Sequence, residues 1–333
     1  MPDVSVVIPV RDGGTLFADV LAALSRQSVA HELVVCDSAS RDGSARLARE
    51  HGARVIEIAP QQFSHGGTRN LLIRSAAGAH VALLTQDAVP ASERWLEQLL
   101  EGFALASDVA IAYGPYQPRT DAPLAVRIEL DGWFDSLSPD GAPRVERLDE
   151  REPDALPASE LIGRRGFFTD ANACIARAAW ERIPFRDIPY AEDRALALDM
   201  LRAGYSKAFV PNAAVIHSHA YTTSQQLRRS FDEWRGLREV YGWREPLAPA
   251  HVLSRLRGSL GQARRALADE GVASASRPGA LAGLAVRELA SVGGAVLGSR
   301  ADRIPRSLRR RLSLEGRGDF APLDLASSGS AGE

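Results

Sequence analysis

Lysine is almost missing from this 333-residue chain: Lys207 stands alone, and arginine carries the rest of the positive charge. That imbalance reads as codon composition rather than chemistry. Cysteine is nearly as scarce. Cys36 and Cys174 lie far apart in apolar stretches, which excludes a disulfide framework or zinc-type spacing and leaves two buried thiols in a reducing compartment. No run of about 18 uncharged apolar residues is present, so no membrane-crossing helix is expected. The chain passes from Met1-Pro2-Asp3 directly into a valine-rich strand, and no signal peptide is expected. Two nucleotide signatures are also missing. Arg11-Asp12-Gly13-Gly14 stands where a dinucleotide fold would carry Gly-x-Gly-x-x-Gly, and no phosphate-loop Gly-Lys-Ser/Thr occurs. These absences count against dehydrogenases and ATPases.

Histidine is sparse too, seven in all, which makes one pairing informative. Val215-Ile216-His217-Ser218-His219 ends an apolar run with imidazoles at i and i+2. In an extended strand those side chains share a face, so both can aim at one divalent cation. Two solvated loop histidines are the plainer reading. Asp87 closes another apolar run, and Glu192-Asp193 lies just upstream.

The composition, 45% hydrophobic and 25% charged, is that of a soluble globular protein, and the length suits a core domain with an appendage. The net charge of −2 conceals an asymmetry. From His251 to Glu333 thirteen arginines face eight acids, a balance of +5 that leaves −7 on the rest. Seven of those arginines fall between Arg300 and Arg317, as a solvated face or as a site for an anionic partner.

Strand and helix signals alternate from the start. Val4–Val10, Leu33–Cys36, Val55–Ile58, Val81–Thr85 and Val109–Tyr113 are apolar runs of strand length. Helical spacings fall between them at Leu16–Leu24, Arg69–Ala77 and Leu96–Phe103, with a short helix ending near Gly52. This rhythm predicts an α/β fold with a mostly parallel central sheet flanked by helices. Ligands of such sheets bind beyond the carboxyl ends of the strands, here at Arg11-Asp12, Asp37 and Gln86-Asp87. Ser136–Ser159 lacks periodicity and reads as a long surface loop able to order over a substrate. Helical spacing resumes at Leu196–Leu201. Strands Ala208–Val210 and Ala214–His217 flank a Pro211-Asn212 turn, and Leu227, Phe231, Trp234 and Leu237 share a helical face. The expected organisation is a core domain over 1–245, a helical basic region over 246–325 broken at Pro278 and Pro305, and a disordered tail over 326–333.

Each candidate site residue has two readings. Asp37, at the end of the second strand, can accept hydrogen bonds from a nucleobase edge or sit in a polar turn. Asp87 offers a hard oxygen to Mg2+ or Mn2+ bridging a diphosphate, and histidine in the ligand set favours Mn2+. Asp193 is placed to act as a general base, or with Glu192 to complement a helix dipole. His65-Gly66-Gly67-Thr68-Arg69-Asn70 enters a helix with a cation attached, as an anion site using Arg69 or as an ordinary helix start.

The ordered series of strand-Asp37, His65-to-Asn70, Leu84-Thr85-Gln86-Asp87-Ala88, Glu192-Asp193 and His217-Ser218-His219 resembles the inverting family-two glycosyltransferases of GT-A fold, and within them the bacterial rhamnosyltransferase-like branch. Tyr113-Gly114-Pro115-Tyr116-Gln117-Pro118 and Ala171-Asn172-Ala173-Cys174-Ile175 add to the likeness, which covers about residues 3 to 245. The resemblance implies a nucleotide-diphosphate sugar donor contacted by Asp37, by Pro9, Val10 and Arg11, and by Arg69 and Gln86. It implies a metal site of Asp87 with His217 and His219, Asp193 as catalytic base, and Asn172 and Glu192 on the acceptor side. Thr85 replaces the first acid of the family's Asp-x-Asp motif, and Arg11 stands where an aromatic or small polar residue is frequent. The implied activity is transfer of a sugar such as L-rhamnose to a glycan or lipid-linked hydroxyl in cell-surface polysaccharide synthesis, in the cytoplasm or on the inner face of its membrane, without nucleic acid. A degenerate nucleotide-sugar-binding module and a metal-dependent hydrolase are the alternatives.

In the tail, Leu281, Leu284, Ala285, Leu289, Val292 and Val296 recur at near-helical spacing before the arginine cluster. That fits a helix in an anionic membrane interface, or one packed on the rest of the protein with its arginines solvated.

Overall fold

The computed structural model describes residues 3–148, 157–269 and 277–316. The expected tail at 326–333 and the middle of the Ser136–Ser159 loop lie outside the described residues. Eleven strands are described: β1 (Val4–Val10), β2 (Glu32–Asp37), β3 (Arg54–Glu57), β4 (His80–Leu84), β5 (Val89–Pro90), β6 (Val109–Tyr113), β7 (Tyr116–Gln117), β8 (Arg144–Glu146), β9 (Asn172–Ala176), β10 (Ser206–Phe209) and β11 (Val215–Ile216). The helices are α1 (Gly14–Leu24), α2 (Ser44–Glu50), α3 (His65–Ser75), α4 (Trp95–Glu101), α5 (Leu124–Leu137), α6 (Ala158–Leu161), α7 (Arg177–Arg182), α8 (Glu192–Arg202), α9 (Thr223–Tyr241), α10 (Pro249–Asp269), α11 (Arg277–Gly298) and α12 (Arg306–Leu312).

Eight strands form the main sheet in the order β3-β2-β1-β4-β9-β6-β10-β8. The first four pair in parallel, each joined to the next in the chain through a helix, and β6 and β10 also pair in parallel. Only β9 and β8 run against their neighbours. Parallel strands are covered on both faces, so β1 is buried almost throughout, with Val6, Ile8 and Val10 packed among Phe17, Leu21 and Leu24 of α1. A second sheet, β5-β11-β7, has three strands of two residues each.

The segment expected as a long loop at Ser136–Ser159 is more ordered than its sequence suggests. It contains the end of α5 and β8, which closes the sheet edge against β10. Three residues of strand leave no readable period, and β8 is held by a contact no local pattern shows: Glu146 pairs with the buried Lys207 of β10.

The chain forms two compact units. The first comprises Met1–Gln117 and Phe134–His217 and holds both sheets; the second comprises Pro118–Trp133 and Ser218–Gly318. In the second, Thr222 and Gln225 make a capping box at the start of α9, and Gly242 ends it in the left-handed conformation with φ of 72°. Pro278 and Pro305 open α11 and α12, where a missing N–H is harmless. α11 is long and apolar enough to cross a membrane despite Arg287 and Glu288, which corrects the expectation that no such helix exists. Its expected apolar face also divides: Val292 is buried while Leu289 is half exposed.

Candidate active site

The loops after β1 and β2 interlock. The Asp12 N–H donates to Ser40 Oγ at 2.9 Å, the Arg41 N–H to Asp12 Oδ1 at 2.7 Å and the Gly14 N–H to Asp42 Oδ2 at 2.8 Å. Val10 faces Asp37 across the strands, and its carbonyl accepts from the Ser38 N–H at 2.9 Å. Asp37 is buried. Its Oδ2 accepts from the Ser40 N–H at 3.0 Å, but Oδ1 has no partner. Ser38 Oγ and Thr85 Oγ1 are buried without partners too. Orphaned buried polar atoms are costly, and this group sits at the carboxyl ends of β2 and β4, on either side of β1. An acceptor carboxylate and two hydroxyls match the N–H and hydroxyl groups of a nucleoside. Gln86 spends its amide on the Arg11 backbone, accepting from its N–H at 2.7 Å and donating to its carbonyl at 3.2 Å.

Arg69, expected as an anion site, is surrounded by carboxylates of the protein. It is 4% exposed and grips Asp170 through Nε at 2.5 Å and Nη2 at 2.7 Å, while Nη1 lies 3.3 Å from Glu192. The adjacent glycines serve packing: a Cβ on Gly66 would lie 2.2 Å from the Arg186 carbonyl oxygen. The start of α3 is capped internally, since the Gly67 N–H donates to Ser64 Oγ at 3.1 Å. Glu192, expected on the acceptor side, is instead buried as Arg69's second partner. Asn172 is withdrawn too. It is fully buried, accepts from Trp95 Nε1 at 2.8 Å and donates to the Pro115 and Ala213 carbonyls, so its whole amide braces β9.

Asp193 is the second residue of α8 beside this network, half-buried, two positions after Ala191, which caps the helix in a left-handed conformation with φ of 64°. Removal from water, reinforced by the neighbouring Asp170 carboxylate, pushes its pKa up to about 7, against the pull of Arg194 and Arg69. Burial also raises Asp170, helped by Glu192 and opposed by Arg69. Two acids share one cation here, and the excess negative charge falls on Asp193. A carboxylate poised near neutrality is what proton abstraction from a hydroxyl requires.

Asp87, His217 and His219 offer ligand atoms that all lie within 4.8 Å of one another. His217 is nearly buried, with Nδ1 3.5 Å from Asp87 Oδ1, and the edge of Tyr116 holds its ring at a centroid distance of 4.8 Å. Its N–H donates to the Gln117 carbonyl at 2.9 Å, which continues the extended pairing past β11. One carboxylate oxygen and two imidazoles fit a divalent cation.

The sequence reading missed three contributors. Asp170 and Thr169 lie in an apolar run, where an acid is itself a signal of a paired burial. Tyr116 is partly buried, bonds Thr169 through its hydroxyl and contacts His217; its own pKa is raised by removal from water, so the hydroxyl stays neutral.

The sheet thus carries an orphaned carboxylate at one strand end, a carboxylate of raised proton affinity and an oxygen-and-imidazole cluster. The model of the family "Glycosyl transferase family 2" matches residues 5–136. The O-antigen chain rhamnosyltransferase WbaN of Salmonella anatum is 31% identical over 239 residues, 70% of this chain and 71% of that protein. The O-antigen chain rhamnosyltransferase RfbN of Salmonella typhimurium is 31% identical over 238 residues, 69% of this chain and 70% of its own length. Among solved structures, the mannosyltransferase PcManGT from Pyrobaculum calidifontis, in complex with GDP-Man and Mn2+, superposes with a TM-score of 0.58 over 91% of this chain and 86% of its own, at 19% identity. The chain belongs to glycosyltransferase family 2, has the GT-A fold and is a glycosyltransferase.

Proposed function

We propose that the protein transfers L-rhamnose, with inversion, from a nucleotide-diphosphate donor to a hydroxyl of a glycan or lipid-linked acceptor during O-antigen-type polysaccharide synthesis. The observation that carries the mechanism is Asp193, a half-buried carboxyl whose surroundings hold it near neutrality. The sugar and pathway rest on the two rhamnosyltransferase relatives. Asp37 receives the base. The end of β1 at Pro9 and Val10, with the adjoining Arg11, shapes its pocket, and Gln86 is the brace that fixes the Arg11 backbone.

Asp87, His217 and His219 would hold the divalent cation, which when bound offsets charge on the diphosphate. The ligand set and the Mn2+ in PcManGT favour manganese. Asp193 takes the proton of the acceptor hydroxyl as its oxygen bonds the anomeric carbon. The bond from that carbon to the diphosphate oxygen breaks on the opposite face, and the nucleoside diphosphate leaves with the electron pair. Arg69, Asp170 and Glu192 position the base from beneath.

Incubation with dTDP-L-rhamnose, and separately with UDP- and GDP-sugars, with release of nucleoside diphosphate as readout, tests the donor. NMR of the product's anomeric centre tests the stereochemistry. Product with retained configuration would refute the base assignment, and turnover of other sugars but not of dTDP-L-rhamnose would refute the donor.

A further inference from the structure

Within the second unit, α11 presents its faces in the reverse of the usual order. Gly294 and Gly298 seat it on α9 so closely that a Cβ on either would lie 2.2 Å from the Leu227 carbonyl oxygen or 2.3 Å from that of Phe231. Ala290, Val292 and Ala295 fill the rest of the buried side. The outward side carries the larger apolar residues. Ala282, Val286, Leu289, Gly293 and Leu297 recur at steps of three and four and form one stripe, with Val286 52% and Leu289 50% exposed. A helix bathed in water turns polar residues outward. The charged pair in this helix is drawn aside instead: Arg287 binds Glu129, and Glu288 binds Arg255 of α10. Leu253 on α10 and Leu308 on α12 are each 46% exposed as well. Arginines surround these apolar residues in the sequence. Arg257, Arg264 and Arg265 are exposed on α10, as are Arg310 and Arg311 on α12.

We propose that the C-terminal helices dock on an anionic lipid bilayer, with the outward stripe of α11 entering the interface and the arginines of α10 and α12 meeting lipid phosphates. Apolar side chains flanked by guanidinium groups are complementary to a headgroup layer over acyl chains. A second copy of the chain is a poorer occupant, because a two-fold interface on this face would set arginines against arginines. Insertion across the bilayer is not needed: α11 stays seated on α9 through its glycines, and only its outer stripe is buried. The inference is independent of the sugar transferred.

The test is co-sedimentation of the full chain with vesicles of phosphatidylglycerol and phosphatidylcholine, and with phosphatidylcholine alone, at low and high salt. The wild type should partition onto the anionic vesicles and be released by salt. Arg310→Glu/Arg311→Glu should weaken partitioning by about tenfold or more, from the usual worth of each basic residue at such a surface, and Val286→Glu/Leu289→Glu by about as much through lost apolar burial in the interface, with circular dichroism unchanged. Nucleotide-sugar binding should be the same in all three proteins, so failure here is distinguishable from failure of the transfer reading. Equal partitioning of wild type and variants would overturn the proposal. So would a wild type that ignores anionic vesicles but sediments as a dimer that Leu289→Glu dissociates.

Discussion

At the residue scale, the raised proton affinity of Asp193 is the property to test first. Asp193→Asn should leave donor binding intact and lower kcat by about two orders of magnitude or more, the usual worth of a general base. Near-normal turnover with an unchanged pH profile would remove Asp193 from the mechanism. Its neighbour gives a subtler check. Asp170→Asn takes away the carboxylate that raises Asp193 and frees Arg69 to lower it further. The acid limb of kcat/KM, expected near pH 7 in the wild type, should then move to lower pH while the plateau above it is kept. Stability follows the same sign. Asp193 and Asp170 both bind protons more tightly folded than unfolded, so their contribution is fully present below about pH 4 and lost as pH rises through about 7. Asp193→Asn should therefore raise the melting temperature at pH 8, by on the order of a few degrees, and change it little at pH 4.

At the element scale, two packing contacts decide more than any surface ion pair. The glycines of α11 make a graded series. Gly294→Ala and Gly298→Ala drive a methyl into the α9 backbone and should each cost about 1–3 kcal/mol in denaturant unfolding. Gly293→Ala, whose nearest neighbour is Leu227 Cδ1 at 4.0 Å, should be neutral or stabilising by up to about 1 kcal/mol. A flat series would show that α11 does not rest on α9. The single lysine is the second contact. Lys207, buried in β10, holds Glu146 of β8 and donates to the Arg164 and Phe167 carbonyls at 3.0 and 2.9 Å, and burial lowers its pKa to about 8. Arg164 still grips Glu146 at 2.7 Å when the lysine is gone. Lys207→Ala should nonetheless cost about 3 kcal/mol, near the low end for a broken buried pair, against under about 1 kcal/mol for the exposed Arg49–Glu57 pair.

For the whole molecule, ligand and fold are linked. If donor and cation share a site, they should raise the melting temperature together more than separately, by about 2.7 kcal/mol of stability at one hundred times Kd. EDTA should abolish the joint effect. Asp87→Ala should remove more of it than His217→Ala or His219→Ala, because it removes an anionic ligand, and the three losses should be far from additive. Stabilisation by donor that EDTA leaves untouched would exclude a metal role.

The sequence by itself determined the alternation of the core, because parallel strands buried on both faces must be written as apolar runs separated by helical spacings. β1 and β6 fall on the expected residues, and β2, β3 and β4 within one, while β9, between β4 and β6, was not among the expected strands. It also determined the metal candidates, since the i and i+2 placement of His217 and His219 is local geometry. What it could not determine was the employment of charges whose partners are distant in the chain. Arg69 looked like an anion binder until Asp170, 101 residues away, and Glu192, 123 residues away, were found on its guanidinium. Asn172, an acceptor-side candidate by resemblance, has its amide bonded to Trp95, Pro115 and Ala213, all more than 40 residues away. The direction in which α11 turns its leucines was equally hidden, because periodicity marks that a face exists, while the glycines that permit close approach decide which face is buried. Burial makes those choices, and burial is a property of the folded surface.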